Sequence, residues 1–263
     1  MKIYLKYGMK SFSNQLVYRS EVWLRLLGNF FVIFIQAAIW KAVIGLGGTE
    51  GYTIQQMVTY SIINILIYAL LLNSIISNKV DKKLKTGDIA LELIKPLSYS
   101  LYLLADGLGN SIYQLLFTVI PSLIIALFFF GMLPPASEIH LIAFFITLLI
   151  AVMISFYLGY LISLIAFWLL NHFALSWTLD GLIILFSGSF LPLWFFPSSW
   201  ANVAQALPFQ YLGYIPAAMY LGTIPSSKIL IVLFTGIGWT GVLFLIVQCL
   251  WWRAVKRLVV QGG

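Results

Sequence analysis

The chain has 263 residues, of which 62% are hydrophobic and 9% charged. Soluble domains carry roughly 45–50% apolar and about 25% charged residues, so this composition excludes a soluble protein and predicts a single polytopic membrane domain over 1–263, with about six passes of ~20 residues. The net charge of +7 then belongs to the flanks of apolar spans, where it sets topology and attracts anionic lipid, so the expected contact is the bilayer, with no nucleic-acid partner.

Residues 1–22 place Leu5, Met9, Phe12 and Leu16 on one helical stripe, with Lys2, Lys6 and Lys10 along its flank. That pattern predicts an amphipathic helix lying in the cytoplasmic interface, too polar for a signal peptide. A first span is predicted over 26–44, with Lys41 near enough to its end to snorkel outward, and a loop with Gly45, Gly47, Gly48, Glu50 and Gly51 follows. The second span, 57–76, carries Asn64 and Asn73, whose amides need hydrogen-bond partners and therefore favour protein neighbours over lipid.

Residues 77–96, SNKVDKKLKTGDIALELIKP, hold Lys79, Lys82, Lys83, Lys85 and Lys95 together with Asp81, Asp88 and Glu92. This concentration of charge must lie in water. It predicts a helix over 79–85, a left-handed turn at Gly87, and a second helix over 89–95 that is N-capped by Asp88 and stopped by Pro96. Ile89, Leu91 and Ile94, set among the charges, equip the element to touch both lipid and a soluble partner.

The third and fourth apolar stretches, 101–131 and 141–171, exceed the ~20 residues that a crossing needs, so they must tilt, bend or project. Pro121 is the candidate bend, and Pro134 and Pro135 mark the turn between the two stretches. After a short link at Asn171 and His172, a fifth span is predicted over 174–186. Residues 187–222 then combine Gly188, Pro192, Pro197, Pro208, Gly213 and Pro216 with Trp194, Phe195, Phe196, Trp200, Phe209, Tyr211 and Tyr214. Helix breakers in so apolar a setting predict short re-entrant helices whose irregular backbone is covered by protein. The sixth span is 229–252, followed by Arg253, Lys256 and Arg257. All basic residues except Lys41 and Lys228 fall in the N-terminal segment, the charged element or the tail, which places both termini and residues 79–95 in the cytoplasm.

No phosphate-binding loop and no zinc-protease motif occurs, and Cys249 is the sole cysteine, so ATP binding by this chain, a metal site, catalysis and an intrachain disulfide are not expected. The histidines, His140 and His172, read as interfacial residues at span ends. Asp106 reads as a structural carboxylate near the cytoplasmic interface. Asp180, about seven residues into the fifth span, either pairs with Arg25 or Lys10 or lines a substrate route. Without an internal repeat, an inverted-repeat carrier has no support.

The order of these features resembles the membrane subunits of ABC-2 type exporters: an amphipathic N-terminal helix, six spans, a cytoplasmic element after the second span and a proline-rich outer segment between the fifth and sixth. The run from Lys85 to Pro96 is similar to that family's G-x-(x)-x-x-L-x-x-P element. The resemblance implies a coupling helix that docks on a separate ATPase subunit through Lys79, Lys82, Lys83, Lys85, Gly87, Asp88, Leu91, Glu92 and Lys95. It also implies a second permease chain, identical or related, ATP and magnesium held by the ATPase, and a place in the bacterial cytoplasmic membrane. Asn64, Asn73, Asp180, Pro192, Trp194, Phe195, Phe196 and Trp200 are the candidates for the substrate route or outer gate, and the apolar walls suit a hydrophobic or amphipathic compound. The alternative is a proton-coupled secondary carrier, for which Asp180 is the one candidate relay.

Overall fold

A computed structural model describes residues 2–45, 51–165 and 173–256. Gly47, Gly48, Glu50, the link at Asn171 and His172, and Arg257 lie outside the described residues. The described chain is helical: α1 (Lys2–Gln15), α2 (Arg19–Gly45), α3 (Ile54–Tyr68), α4 (Asn73–Thr86), α5 (Ile89–Leu93), α6 (Tyr99–Gln114), α7 (Ile120–Phe129), α8 (Glu138–Ile165), α9 (Phe173–Phe186), α10 (Ser198–Ala206), α11 (Tyr214–Leu221) and α12 (Ile229–Lys256). Among the described residues, five helical stretches are long and apolar enough to cross a membrane, over Ser20–Gly45, Ile54–Thr86, Tyr99–Phe129, Glu138–Ile165 and Ser226–Val255. The expected fifth span is α9, whose 14 residues reach about 21 Å at ~1.5 Å per residue, short of a ~30 Å hydrocarbon core.

The second apolar stretch differs from the expected span of 57–76. It runs from Ile54 to Thr86 as two helices, α3 and α4, with a break at residues 69–72 and no glycine or proline to cause it. Distant hydroxyls compensate the broken ladder. Ser155 on α8 accepts the Leu72 N–H at 3.0 Å, and Ser111 on α6 donates to the Leu70 carbonyl at 2.9 Å. The freed backbone groups are thus satisfied without water. At the same level α8 carries Gly159, where a Cβ would run into the Asn73 backbone, so the glycine sets how closely α8 approaches the start of α4.

In the third stretch, a π-helical turn over Leu115–Val119 joins α6 to α7 just ahead of Pro121. Pro121 has no N–H to offer the Phe117 carbonyl and its ring would press on that group, and the wider turn relieves both. The irregularity in this stretch is therefore the π turn ahead of the proline. Asn29 on α2 donates to Ser122 on α7 at 3.0 Å and pins the first stretch to the third at this level.

α1 packs along α6, with a face that takes in Phe12 of the expected stripe, against Tyr113, but not Leu5 or Met9. Ser11 is buried and Tyr4, Tyr7, Gly8 and Phe12 are half-buried, whereas Leu5 and Met9 of the expected stripe stand 69% and 62% exposed. The close approach depends on glycine at both helices: a Cβ on Gly8 would lie 2.9 Å from the Ala105 carbonyl oxygen, and one on Gly109 would collide with the Gly8 carbonyl. Leu5 and Met9 stay exposed, between Lys2, Lys6 and Lys10.

Candidate functional site

The charged element is built around Glu92. α4 continues unbroken through the lysines to Thr86, so the expected separate helix over 79–85 is instead the end of the second apolar stretch. Gly87, at φ 76°, takes the expected left-handed turn, and α5 then runs only from Ile89 to Leu93. Asp88 occupies the expected N-cap position, but its side chain makes no capping hydrogen bond. Its backbone is already helical, and its carboxylate accepts from the Thr86 hydroxyl at 2.7 Å. The turn begins a residue early because the Gly87 carbonyl takes the Ala90 N–H at 3.2 Å.

Glu92 receives Lys83 at 2.7 Å and Lys95 at 2.8 Å. Burial pushes its carboxyl up, the hydrogen bonds and charges of the two lysines pull it down further, and the net position is below the usual glutamate range. The hydrogen bond to Glu92 in turn holds the Lys95 ammonium above the usual lysine range.

The lysines divide by helical phase. Lys79 and Lys83, four residues apart, turn inward to α6: Lys79 pairs with Asp106 at 2.5 Å, and the two ammonium groups lie 5.3 and 4.9 Å from the centroid of the Tyr102 ring. Asp106 thus has the structural partner its position suggests. Tyr7 of α1 meets Tyr102 edge-on at 4.8 Å, and the Tyr4 hydroxyl accepts the Ser98 N–H at 3.0 Å. Lys82 and Lys85 face out, Lys85 toward Asp81 at 2.9 Å. Ile89 is buried beneath α5, while Leu91 and Ile94 are 64% and 78% exposed. The result is a short helix fixed at its base to α4 and α6, with two large apolar side chains presented among charges.

The route candidates separate into two places. Asn64 is buried and donates to the Tyr60 carbonyl in its own helix at 2.9 Å, with its side chain against Gly213 of the outer segment. Asn73 is buried at the start of α4 and donates to Asp180 on α9 at 3.1 Å. The Asp180 carboxylate therefore meets an amide in place of the expected Arg25 or Lys10, because Arg25 turns to Glu21 one helical turn away at 3.3 Å.

The outer segment contains the short helices α10 and α11, and its aromatic residues are packed against α2 and α3. Trp194 stacks on Tyr52 at 5.1 Å and meets Tyr60 edge-on at 5.3 Å, and Phe195 stacks on Trp40 at 5.8 Å. The Tyr60 hydroxyl donates to the Gly188 carbonyl, and Tyr211 donates to the Val232 carbonyl on α12 at 2.7 Å. Pro192 is buried ahead of the 3-10 turn Leu193–Phe195, Phe196 is half-buried, and Trp200 is 53% exposed. His140, in the first turn of α8, is buried, with Ser137 at 2.7 Å and the Ile224 carbonyl at 3.0 Å bracketing its ring.

Sequence reading missed one further cavity. It has a volume of about 310 Å3 and lies where α2, the break at residues 69–72, α4 and α6 meet. Its lining includes Arg25, Asn29, Tyr68, Ser74, Asn110, Gln114 and Thr118. The signal was present: Asn110, Gln114 and Thr118 recur every four residues along one face of an apolar stretch.

Compared with known protein families, residues 24–262 match the family described as ABC-2 family transporter protein. Comparison with curated proteins yields no match.

Proposed function

The chain belongs to the ABC-2 family of transporter proteins, and from that premise we propose that it is the permease of an exporter that moves a hydrophobic or amphipathic substrate out of the cytoplasm by alternating access. Six passes with α9 as the fifth, α10 and α11 re-entrant on the outer side, and both termini inside the bacterial cytoplasmic membrane complete this reading. A separate cytoplasmic ATPase supplies ATP, magnesium and hydrolysis, and a second permease chain completes the membrane body. Residues 77–96 are the coupling element, and Asn64, Asn73, Asp180 and the aromatic outer segment border the route.

One observation carries this reading: Leu91 and Ile94 stand exposed on a helix whose Glu92 is tied to α4 and, through Lys83 and Tyr102, to α6. A partner that grips these side chains can move two membrane helices as one body. The test is co-purification of a P-loop ATPase with the full chain, compared with Leu91→Asp and Ile94→Asp. Both variants should insert normally and lose the ATPase together with ATP-dependent export. Retained association in both, or flux driven by a pH gradient without ATP, refutes the reading, the latter in favour of a proton-coupled carrier.

A further inference from the structure

α1 has two faces of different character. Tyr4, Tyr7 and Gly8 lie against α6, and the seat is tight, because a Cβ on Gly8 would stand 2.9 Å from the Ala105 carbonyl oxygen. The outer face carries Lys2, Lys6 and Lys10, each four residues from the next and each exposed. Leu5 and Met9 flank these lysines and are exposed too, and α1 contains no acidic residue to neutralise them.

The continuation of the chain decides what lies opposite that outer face. A three-residue turn, Leu16–Tyr18, joins α1 to α2, and the apolar stretch Ser20–Gly45 opens with Trp23, Leu24 and Leu27 exposed. Tryptophan at the end of an apolar stretch marks the membrane–water boundary, so α1 is held at the depth of the lipid headgroups. Lysines beside exposed Leu5 and Met9 then fit a surface that offers phosphate groups above and acyl chains below. An acidic protein would suit the lysines, but the tether to α2 keeps them at the bilayer.

The packed face leads to the charged element. The Tyr4 hydroxyl accepts the Ser98 N–H at 3.0 Å, two residues past Pro96, and so holds the point where residues 77–96 rejoin the long helices. Tyr7 meets the Tyr102 ring at 4.8 Å, and that ring lies 4.9 Å from the Lys83 ammonium, which pairs with Glu92 of α5 at 2.7 Å. A short chain of contacts therefore runs from the lysine face of α1 to α5.

We infer that the outer face of α1 binds anionic phospholipid, with Lys2, Lys6 and Lys10 on the headgroup phosphates and Leu5 and Met9 among the acyl chains, and that this contact steadies residues 77–96 through Tyr4 and Tyr7. On an anionic leaflet α1 is seated and holds Ser98 and Tyr102 in place; on a neutral one it is looser and α5 gains freedom. Each lysine near such a leaflet is worth roughly a fivefold gain in affinity. Control of export by lipid charge rests on the proposed coupling role of residues 77–96, whereas the lipid contact and its transmission do not.

The experiment is hydrogen exchange of the full-length chain, without ATP or a partner, in nanodiscs of dioleoylphosphatidylcholine alone or mixed equally with dioleoylphosphatidylglycerol. Rates are taken relative to the intrinsic rate, with α10 as the reference for any change of pH at the disc surface. The anionic lipid should slow exchange of both 2–15 and 87–98 by about fivefold, the equivalent of one lysine contact. Lys2→Gln, Lys6→Gln and Lys10→Gln combined should abolish both effects, and so should 1 M salt on the wild type, where the Debye length is about 3 Å. Tyr4→Phe with Tyr7→Leu should keep the slowing of 2–15 and lose that of 87–98. Lys82→Gln, on the outward side of α4, should keep both. Equal exchange of the wild type in the two discs, or slowing that survives 1 M salt or the triple substitution, overturns the lipid contact. Slowing produced by soluble poly-glutamate and not by phosphatidylglycerol assigns the lysines to an acidic protein and overturns it as well. Undiminished slowing of 87–98 in the tyrosine variant, or its loss in Lys82→Gln, overturns the transmission. Each of these results leaves the transporter function as it was.

Discussion

Lys83 on α4 meets Glu92 on α5 at 2.7 Å across the left-handed turn at Gly87, so the orientation of α5 is set by an ion pair and one glycine. Gly87→Ala should strain this turn by about 1 kcal/mol, since a side chain disfavours positive φ. Asp88→Ala should change stability by no more than about 0.5 kcal/mol, because its carboxylate caps no helix and serves only the exposed Thr86 hydroxyl. Hydrogen exchange of residues 87–96 in the detergent-solubilised protein separates the two: it should rise in the glycine variant and stay level in the aspartate variant.

The same pair makes the element acid-sensitive. Because the folded Glu92 carboxyl lies below its usual value, it stabilises the element above the unfolded pKa of about 4.3, and that stability is lost as pH falls through the lower folded value. Exchange across residues 87–96, taken relative to the intrinsic rate at each pH, should therefore be level from about pH 5 to 7 and should increase below about pH 4. Glu92→Gln should exchange faster at neutral pH and lose most of the acid-induced increase.

Two tyrosines should respond oppositely to loss of the hydroxyl. Tyr60 donates to the Gly188 carbonyl, tying α3 to the outer segment, so Tyr60→Phe should destabilise by about 1–3 kcal/mol by leaving that carbonyl short of a donor. The Tyr160 hydroxyl is buried without a hydrogen-bond partner among the described residues, beside a cavity of about 140 Å3 lined by Tyr99, Gln248 and Trp251. Tyr160→Phe removes a polar group that burial penalises, and should be neutral or stabilising by about 1 kcal/mol. Thermal unfolding in one detergent decides both.

What the sequence could reveal was whatever depends on composition and local chemistry. Apolar runs marked the long helices, Gly87 marked its own turn, and clustered prolines and glycines from 187 to 222 marked short helices. The break at residues 69–72 was invisible because the groups that satisfy it, Ser111 and Ser155, lie 41 and 83 residues away in the chain from their partners. Asp88 misled for a related reason: a helix-capping residue type was present, but its hydroxyl neighbour Thr86 took the carboxylate. On α1, periodicity identified a stripe of which Leu5 and Met9 stay exposed while Phe12 packs on Tyr113, whereas the close approach is marked by a glycine whose purpose depends on Gly109 of another helix.

That glycine pair supports a direct test. Gly109→Ala places a methyl against the Gly8 carbonyl, and α1 must lift from α6, weakening Tyr7 on Tyr102 and Tyr4 on Ser98. Protease cleavage within residues 2–15 should accelerate while the long apolar stretches remain protected. Gly28→Ala, at a helical position where an added methyl meets nothing, is the matched control and should leave cleavage unchanged.

Asn73 and Asp180 provide the last test, because they join the start of α4 to α9 and are also proposed to border the route. If their chief contribution is the hydrogen bond, Asn73→Leu should cost about 1.5–3 kcal/mol, as expected when a charged acceptor loses its partner, and Asp180→Leu in the same background should recover part of that loss. Asp180→Asn keeps the size of the side chain and one acceptor for the Asn73 amide, so its thermal unfolding should stay close to the wild type. Transport then separates the two contributions. Asp180→Asn should retain stability and lose export if the charge itself acts on substrate in the route, whereas a residue that only ties α4 to α9 should keep both. Measuring unfolding and export on the same reconstituted preparation of each variant distinguishes these outcomes, since a stability defect lowers both readings together and a route defect lowers export alone.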